Sequence, residues 1–147
     1  MHGEPVVILL VEDDPAHAEI VKRNLEGFRI GNLLEHVSDG QEALDYLYGQ
    51  GQWINTKPTR PHVILLDLRL PKVDGLEVLR IIKEDPKLNS IPVVVLSTSA
   101  AEADMTRAYG HHVNSYLVKP LDLAQFVDLI GTLGYYWLAW NKNPEST

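Results

Sequence analysis

The sequence predicts one α/β domain in which five strands alternate with five helices around a parallel sheet covered on both faces. Three observations lead there. Val6–Val11, Val63–Leu66 and Ile91–Leu96 are apolar runs of strand length, the habit of strands buried on both sides in parallel sheets. Between them lie stretches whose apolar residues recur at helical spacing. Each apolar run then ends abruptly in polar residues: Glu12-Asp13-Asp14, Asp67 and Ser97-Thr98-Ser99.

Taken in order, Val6–Val11 forms the first strand, and Pro15 opens a helix whose first position suits proline, with Asp14 as its N-cap. Ile20, Val21, Asn24, Leu25 and Phe28 mark one face of that helix, and Gly27 marks its end. Leu33–Val37 is shorter and more polar, which places it at a sheet edge. Ser38-Asp39-Gly40 turns into a helix carrying Ala43, Leu44, Leu47 and Tyr48 inward. Residues 49–61 read as a long loop pinned by Trp53 and Ile54. After the central strand, a helix begins near Gly75 with Leu76, Val78, Leu79, Ile81 and Ile82 inward. The fourth strand precedes a weak, polar helix over Glu102–Tyr109. Ser115–Val118 is the last strand, ending at Lys119-Pro120, and the last helix begins at Leu121. Right-handed crossovers and the short second strand favour the doubly wound, flavodoxin-like (βα)5 order 2-1-3-4-5.

Bulk properties narrow the chemistry. The chain has 147 residues, no cysteine and a formal charge of −7. The missing thiols exclude disulfides, thiolate metal sites and cysteine nucleophiles. An acidic balance argues against nucleic acid as direct partner. No apolar run approaches the roughly 20 residues of a membrane span, and no signal peptide precedes Val6, so the cytoplasm is the expected location. His17, His36, His62, His111 and His112 are scattered, with no helical pair spaced for a transition metal.

In an open parallel sheet the ligand crevice lies past the carboxyl ends of the strands, where the order reverses. Glu12, Asp13 and Asp14, then Asp67, Ser97, Thr98 and Lys119 all stand at such ends. The set offers carboxylates for Mg2+ (or Mn2+), through Asp13 and Asp67. It also offers a carboxylate nucleophile able to form an aspartyl-phosphate. Asp67 would attack phosphorus while Lys119 and Ser97 meet phosphoryl oxygens, so catalysis would be mostly positioning and charge stabilisation.

The motifs Val-Glu-Asp-Asp at 11–14, Asp-Gly at 39–40, Leu-Leu-Asp-Leu-Arg-Leu-Pro-Lys-Val-Asp-Gly at 65–75, Val-Val-Leu-Ser-Thr at 94–98 and Tyr-Leu-Val-Lys-Pro at 116–120 are jointly specific. With them, residues 5–133 resemble the receiver domain of a two-component response regulator. The resemblance implies that Asp67 is phosphorylated by a sensor histidine kinase, in a signalling module rather than an enzyme. It implies a metal held by Asp13, Asp67 and the backbone carbonyl of Arg69, with Glu12 acting through water. Ser97 and Tyr116 match the switch hydroxyl and switch aromatic, and Lys119 the phosphoryl-binding lysine before a cis Pro120. Arg69 and Ser99 match positions that tune hydrolysis. Thr98 departs from the small residue usual there and would crowd the phosphoryl group. Loop 49–61 and the aromatic C-terminus are similar to single-domain regulators of bacterial phytochromes, which makes a bacteriophytochrome the expected kinase.

Phe126, Ile130, Leu133, Trp137 and Trp140 recur at spacings of four and three, with Tyr136 beside them. The first half of this seam is expected to pack on the sheet as domain core, the part after Leu133 overruns the domain, and Gly131 and Gly134 would bend or break the helix. Residues 134–147 are read as an aromatic extension that, with the last helix, builds a homodimer. No DNA-binding or enzymatic output domain is expected after Leu133. Three rivals stand beside the receiver reading, one of them a receiver-like module that has lost phosphorylation, against which the full residue set argues. A magnesium-dependent aspartate-nucleophile phosphatase of the dehalogenase type would carry a second acid where Arg69 stands. A flavodoxin-like flavin carrier would need a phosphate-cradling loop where Glu12-Asp13-Asp14 would repel the phosphate.

Overall fold

In the computed structural model, β1 (Val6–Val11), β2 (Asn32–Val37), β3 (Val63–Leu66), β4 (Val93–Ser97) and β5 (Ser115–Val118) form one sheet in the order β2-β1-β3-β4-β5, every neighbouring pair parallel. The helices are α1 (Pro15–Glu26), α2 (Gly40–Tyr48), α3 (Gly75–Glu84), α4 (helical over 107–110) and α5 (Leu123–Lys142). The structure describes residues 6–26, 32–98, 107–113, 115–120 and 122–142, without the side chains of 32 and 133–142. Gly27, Phe28, Ser99, residues 102–106 and Leu121, given roles above, lie outside them.

Strand alternation divides the core into two layers. Leu9, Val11, Ile64, Leu66, Val93 and Val95 face Ala43 and Tyr46 of α2 and Val78, Leu79 and Ile82 of α3. Val6, Ile8, Leu10, Val63, Leu65, Val94 and Leu96 face Ala18, Val21 and Leu25 of α1 and Phe126 and Ile130 of α5. Every residue of β1, β3 and β4 is buried, so the uninterrupted apolar runs reflect two-sided burial. Each such side chain contributes about 1.5–3 kcal/mol relative to exposure. The edge strand β2 leaves Leu33 56% exposed, as its polar composition anticipated.

Several readings need correction. Tyr46, not Tyr48, turns into the core: it stands three residues after Ala43, on the same helical face, and its hydroxyl donates to the Thr59 carbonyl at 2.7 Å. Tyr48 is exposed and donates to Asp85 Oδ2 at 2.5 Å. Loop 49–61 is held by Trp53, whose ring meets Tyr46 edge-on at 5.3 Å, whereas Ile54, at the end of the 3-10 turn Gly51–Trp53, is 68% exposed. Phe126 and Ile130 are 3% and 1% exposed within their own chain, so they are core rather than dimer surface. They lie on the face of α5 that closes the layer under α1, which leaves them no side to offer a second copy. The helix itself runs on through Gly131 and Gly134 to Lys142. The aromatic side chains of Tyr136, Trp137 and Trp140, and that of Leu133, lie outside the described residues. Among the described residues no helix is long and apolar enough to cross a membrane.

Candidate functional site

Three charged residues stand one position beyond three strands, each held by one further ladder hydrogen bond. Glu12 N donates to Val37 O at 3.0 Å, Asp67 N to Val11 O at 3.0 Å and Lys119 N to Ser97 O at 2.7 Å. Because the strands are parallel, these extensions emerge at one end of the sheet. The side chains meet although Lys119 lies 107 residues from Glu12 and 52 from Asp67. Its ammonium pairs with Glu12 Oε1 and lies 3.4 Å from Asp67 Oδ2. All three are buried, Asp67 being 8% exposed.

The acids converge as the sequence anticipates. Carboxylate oxygens of Glu12, Asp13 and Asp67 all lie within 4.8 Å of one another, Asp13 being the exposed member. Asp14 is set apart from them by its capping role, its Oδ1 accepting from Ala16 N at 2.9 Å and His17 N at 3.3 Å. Asp67 Oδ1 accepts from Arg69 N at 3.1 Å, and the Arg69 side chain is exposed. Ser97 is fully buried at the end of β4, and Thr98 beyond it is exposed. Tyr116 is buried in the layer under α2 and α3. No peptide bond among the described residues is cis, so Lys119–Pro120 is trans, against the expectation. Trans is the lower-energy X–Pro isomer by about 0.5–1 kcal/mol.

Two glycines let the backbone close around Asp67. A Cβ on Gly75 would lie 2.3 Å from the Asp67 carbonyl oxygen, and one on Gly40 would lie 1.9 Å from that of Val73. The loop from Asp67 to Asp74 is thereby clamped between α3 and the start of α2. Lys72, in the left-handed region at φ 68°, closes the clamp with an ion pair of 3.4 Å to Asp39, which caps α2 through Glu42 N.

The electrostatics suit a hard cation. Burial pushes the Glu12 carboxyl up to about 7, against the pull of the Lys119 ammonium. With all three carboxylates ionised against one ammonium, two negative charges would be left uncompensated, and a divalent ion balances them. All three donors are oxygens, the preference of Mg2+ and Mn2+, and the exposed Asp13 leaves a path for water ligands. The residues therefore fit such an ion.

The sequence reading passed over two residues here. His17 places Nδ1 3.0 Å from Lys119 Nζ, and His36 places Nε2 2.7 Å from the Glu12 carbonyl oxygen. For His17 a signal existed. It is the third residue after the Asp14 cap, the position from which a polar side chain reaches back to the helix start.

The sequence profile of the family described as "Response regulator receiver domain" matches residues 8–131. The chain belongs to this family. The receiver is 46% identical over 144 residues to the "Probable methanogenesis regulatory protein FilR2" of Methanothrix harundinacea, spanning 96% of this chain and 89% of that protein. It superposes with a TM-score of 0.87 on the Mn(2+)-bound form of response regulator Rcp1, at 44% identity over 91% of this chain and 95% of that one; Rcp1 is a Synechocystis protein. The phosphorylated cyanobacterial phytochrome response regulator RcpA also gives 0.87, at 42% identity, covering 92% and 96% of the two chains. The receiver is thus a two-component response regulator, homologous to phytochrome-associated members.

Proposed function

We propose that this receiver takes a phosphoryl group onto Asp67 from the phosphohistidine of a sensor kinase. The observation that carries the reading is the shared pocket: Asp67, Lys119, Glu12 and Asp13 meet where the sheet order reverses between β1 and β3. One Asp67 oxygen forms the new P–O bond as the P–N bond breaks. The electron pair passes to the kinase imidazole, which takes a proton from solvent. Lys119 then faces a phosphoryl oxygen, and Ser97 donates to another. Asp13, Asp67 and the Arg69 carbonyl would hold the Mg2+ or Mn2+, with Glu12 acting through water; when bound, the ion neutralises charge on the phosphoryl oxygens.

Signalling follows from the same chemistry. A dianionic group drawing Ser97 inward changes the packing beside Tyr116, and the face of α4, β5 and α5 responds. Exposed apolar side chains on those three elements, Tyr109 at 52%, Val118 at 39% and Leu123 at 63%, suit a partner surface. Arg69 in the loop after β3 and Thr98 just past β4 are both exposed, which supports a role for them in setting how fast water reaches the group; Ser99 is proposed for the same role from its match to the family position. A bacteriophytochrome is the kinase favoured by the likeness to the phytochrome response regulator RcpA.

Incubation with acetyl phosphate and Mg2+ is expected to give one phosphate adduct by intact mass, absent from Asp67→Asn. An adduct retained by that variant would move the acceptor elsewhere. Labelled phytochrome and light-insensitive kinases offered in parallel would decide the partner.

A second copy of the chain is a further proposed partner, held through the segment of α5 beyond Thr132. Helix α5 continues to Lys142, which carries Leu133, Tyr136, Trp137 and Trp140 along one rod. Sedimentation should show a dimer for the intact chain and a monomer for Trp137→Glu/Trp140→Glu. Equal masses for both would end the idea.

A further inference from the structure

An ammonium carries three hydrogens and no lone pair, so each neighbour of Lys119 Nζ must accept. Three acceptors surround it: Glu12 Oε1, Asp67 Oδ2 at 3.4 Å and His17 Nδ1 at 3.0 Å. The first two belong to the acidic cluster; the third does not. His17 Nδ1 must therefore be the bare nitrogen of a neutral ring, with the hydrogen on Nε2, which looks toward Asp14 Oδ2 at 3.7 Å.

The ring is built into place. Its backbone N–H is capped by Asp14 Oδ1 at 3.3 Å, and its edge packs on Phe126, centroids 5.2 Å apart at 66°. Phe126 is itself 3% exposed, so the ring rests on the core. Among the described residues, every buried side-chain polar atom in the chain has a partner, which leaves little slack for the lysine to wander.

We propose that His17 is a positioning residue for phosphoryl transfer: its neutral Nδ1 holds the Lys119 ammonium over Asp67 without adding negative charge. This rests on Asp67 being the phosphoryl acceptor. When a phosphoryl group arrives, Lys119 must exchange Asp67 Oδ2 for a phosphoryl oxygen. A third carboxylate in place of His17 would compete for the ammonium's charge. A neutral acceptor fixes its position and leaves that charge available to the developing anion.

The test uses the full chain with acetyl phosphate and Mg2+, reading adduct formation by intact mass. His17→Phe keeps an aromatic ring against Phe126 and removes the acceptor. Its phosphorylation is expected to slow about tenfold, the loss of one hydrogen bond to a charged group. His17→Asn restores an acceptor near the Nδ1 position and should recover most of the rate, which a merely structural role would not produce. Should His17→Phe melt far below the parent, the Asn arm decides alone. In the parent, imidazole 15N spectra should show the hydrogen on Nε2. Rates within twofold for all three proteins, Asn as slow as Phe, or a hydrogen on Nδ1 would each overturn the assignment. If the parent takes up no phosphate while folded, the acceptor reading itself falls, a result distinct from an equal rate in the variants.

Discussion

Gly75 and Gly131 both sit in helices, and their surroundings differ completely. At Gly75 the first turn of α3 presses on the Asp67 carbonyl, where an added methyl would sit 2.3 Å from the oxygen. At Gly131, in α5, an added methyl would meet nothing within 4 Å among the described residues. The first region is crowded because it must hold an acidic side chain, an ammonium and a turning backbone in register. The second is open because half of α5 has already met its obligation through Phe126 and Ile130. Crowding of this kind keeps the Asp67 loop where it is, and helix propensity alone is at stake on the open side.

The contrast can be broken by one substitution made twice. Gly75→Ala should destabilise by on the order of 3 kcal/mol, because the methyl collides with backbone that cannot give. Gly131→Ala should instead stabilise by about 1 kcal/mol, since helical glycine is the poorer choice and space is free. Urea denaturation of both variants checks the signs. Two destabilising results would mean that the α5 position is not open.

The crowded region also carries a pH signature of intermediate size. Glu12 has its carboxyl raised from 4.5 to about 7, so the folded state holds that proton more tightly than the unfolded chain. Its contribution is fully present below about pH 4.5 and is lost as pH rises through 7. Between pH 5 and 8, without divalent ions, melting of Glu12→Gln should gain on the parent. Added Mg2+ should reduce that difference, because an ion among the acids favours the carboxylate. Curves that stay parallel across the range would show that Glu12 titrates normally.

Much of this was legible before any coordinates. The strand-end residues could be read because burial on both faces writes an unbroken apolar run, and a polar residue ends it visibly. Asp14 could be read as a cap because capping is local. Tyr46 and Tyr48 could not be told apart so easily: both lie near the inward face of α2, and the choice depends on the Thr59 carbonyl that only the loop supplies. Phe126 and Ile130 fit a heptad seam as well as a core face, since both patterns share the same spacing. Only contact with α1 and the sheet separates them.

The sequence by itself determined the alternation of elements, the fully buried central strands and the polar character of their carboxyl ends. These depend on periodicity and composition within a few residues. Tertiary structure alone decided which of those ends share a pocket, that Lys119 lies 3.4 Å from Asp67, and that His17 is the third acceptor around its ammonium. Such distances are set by the register of strands far apart in the chain and by the seating of α1 on α5, and no local pattern encodes them.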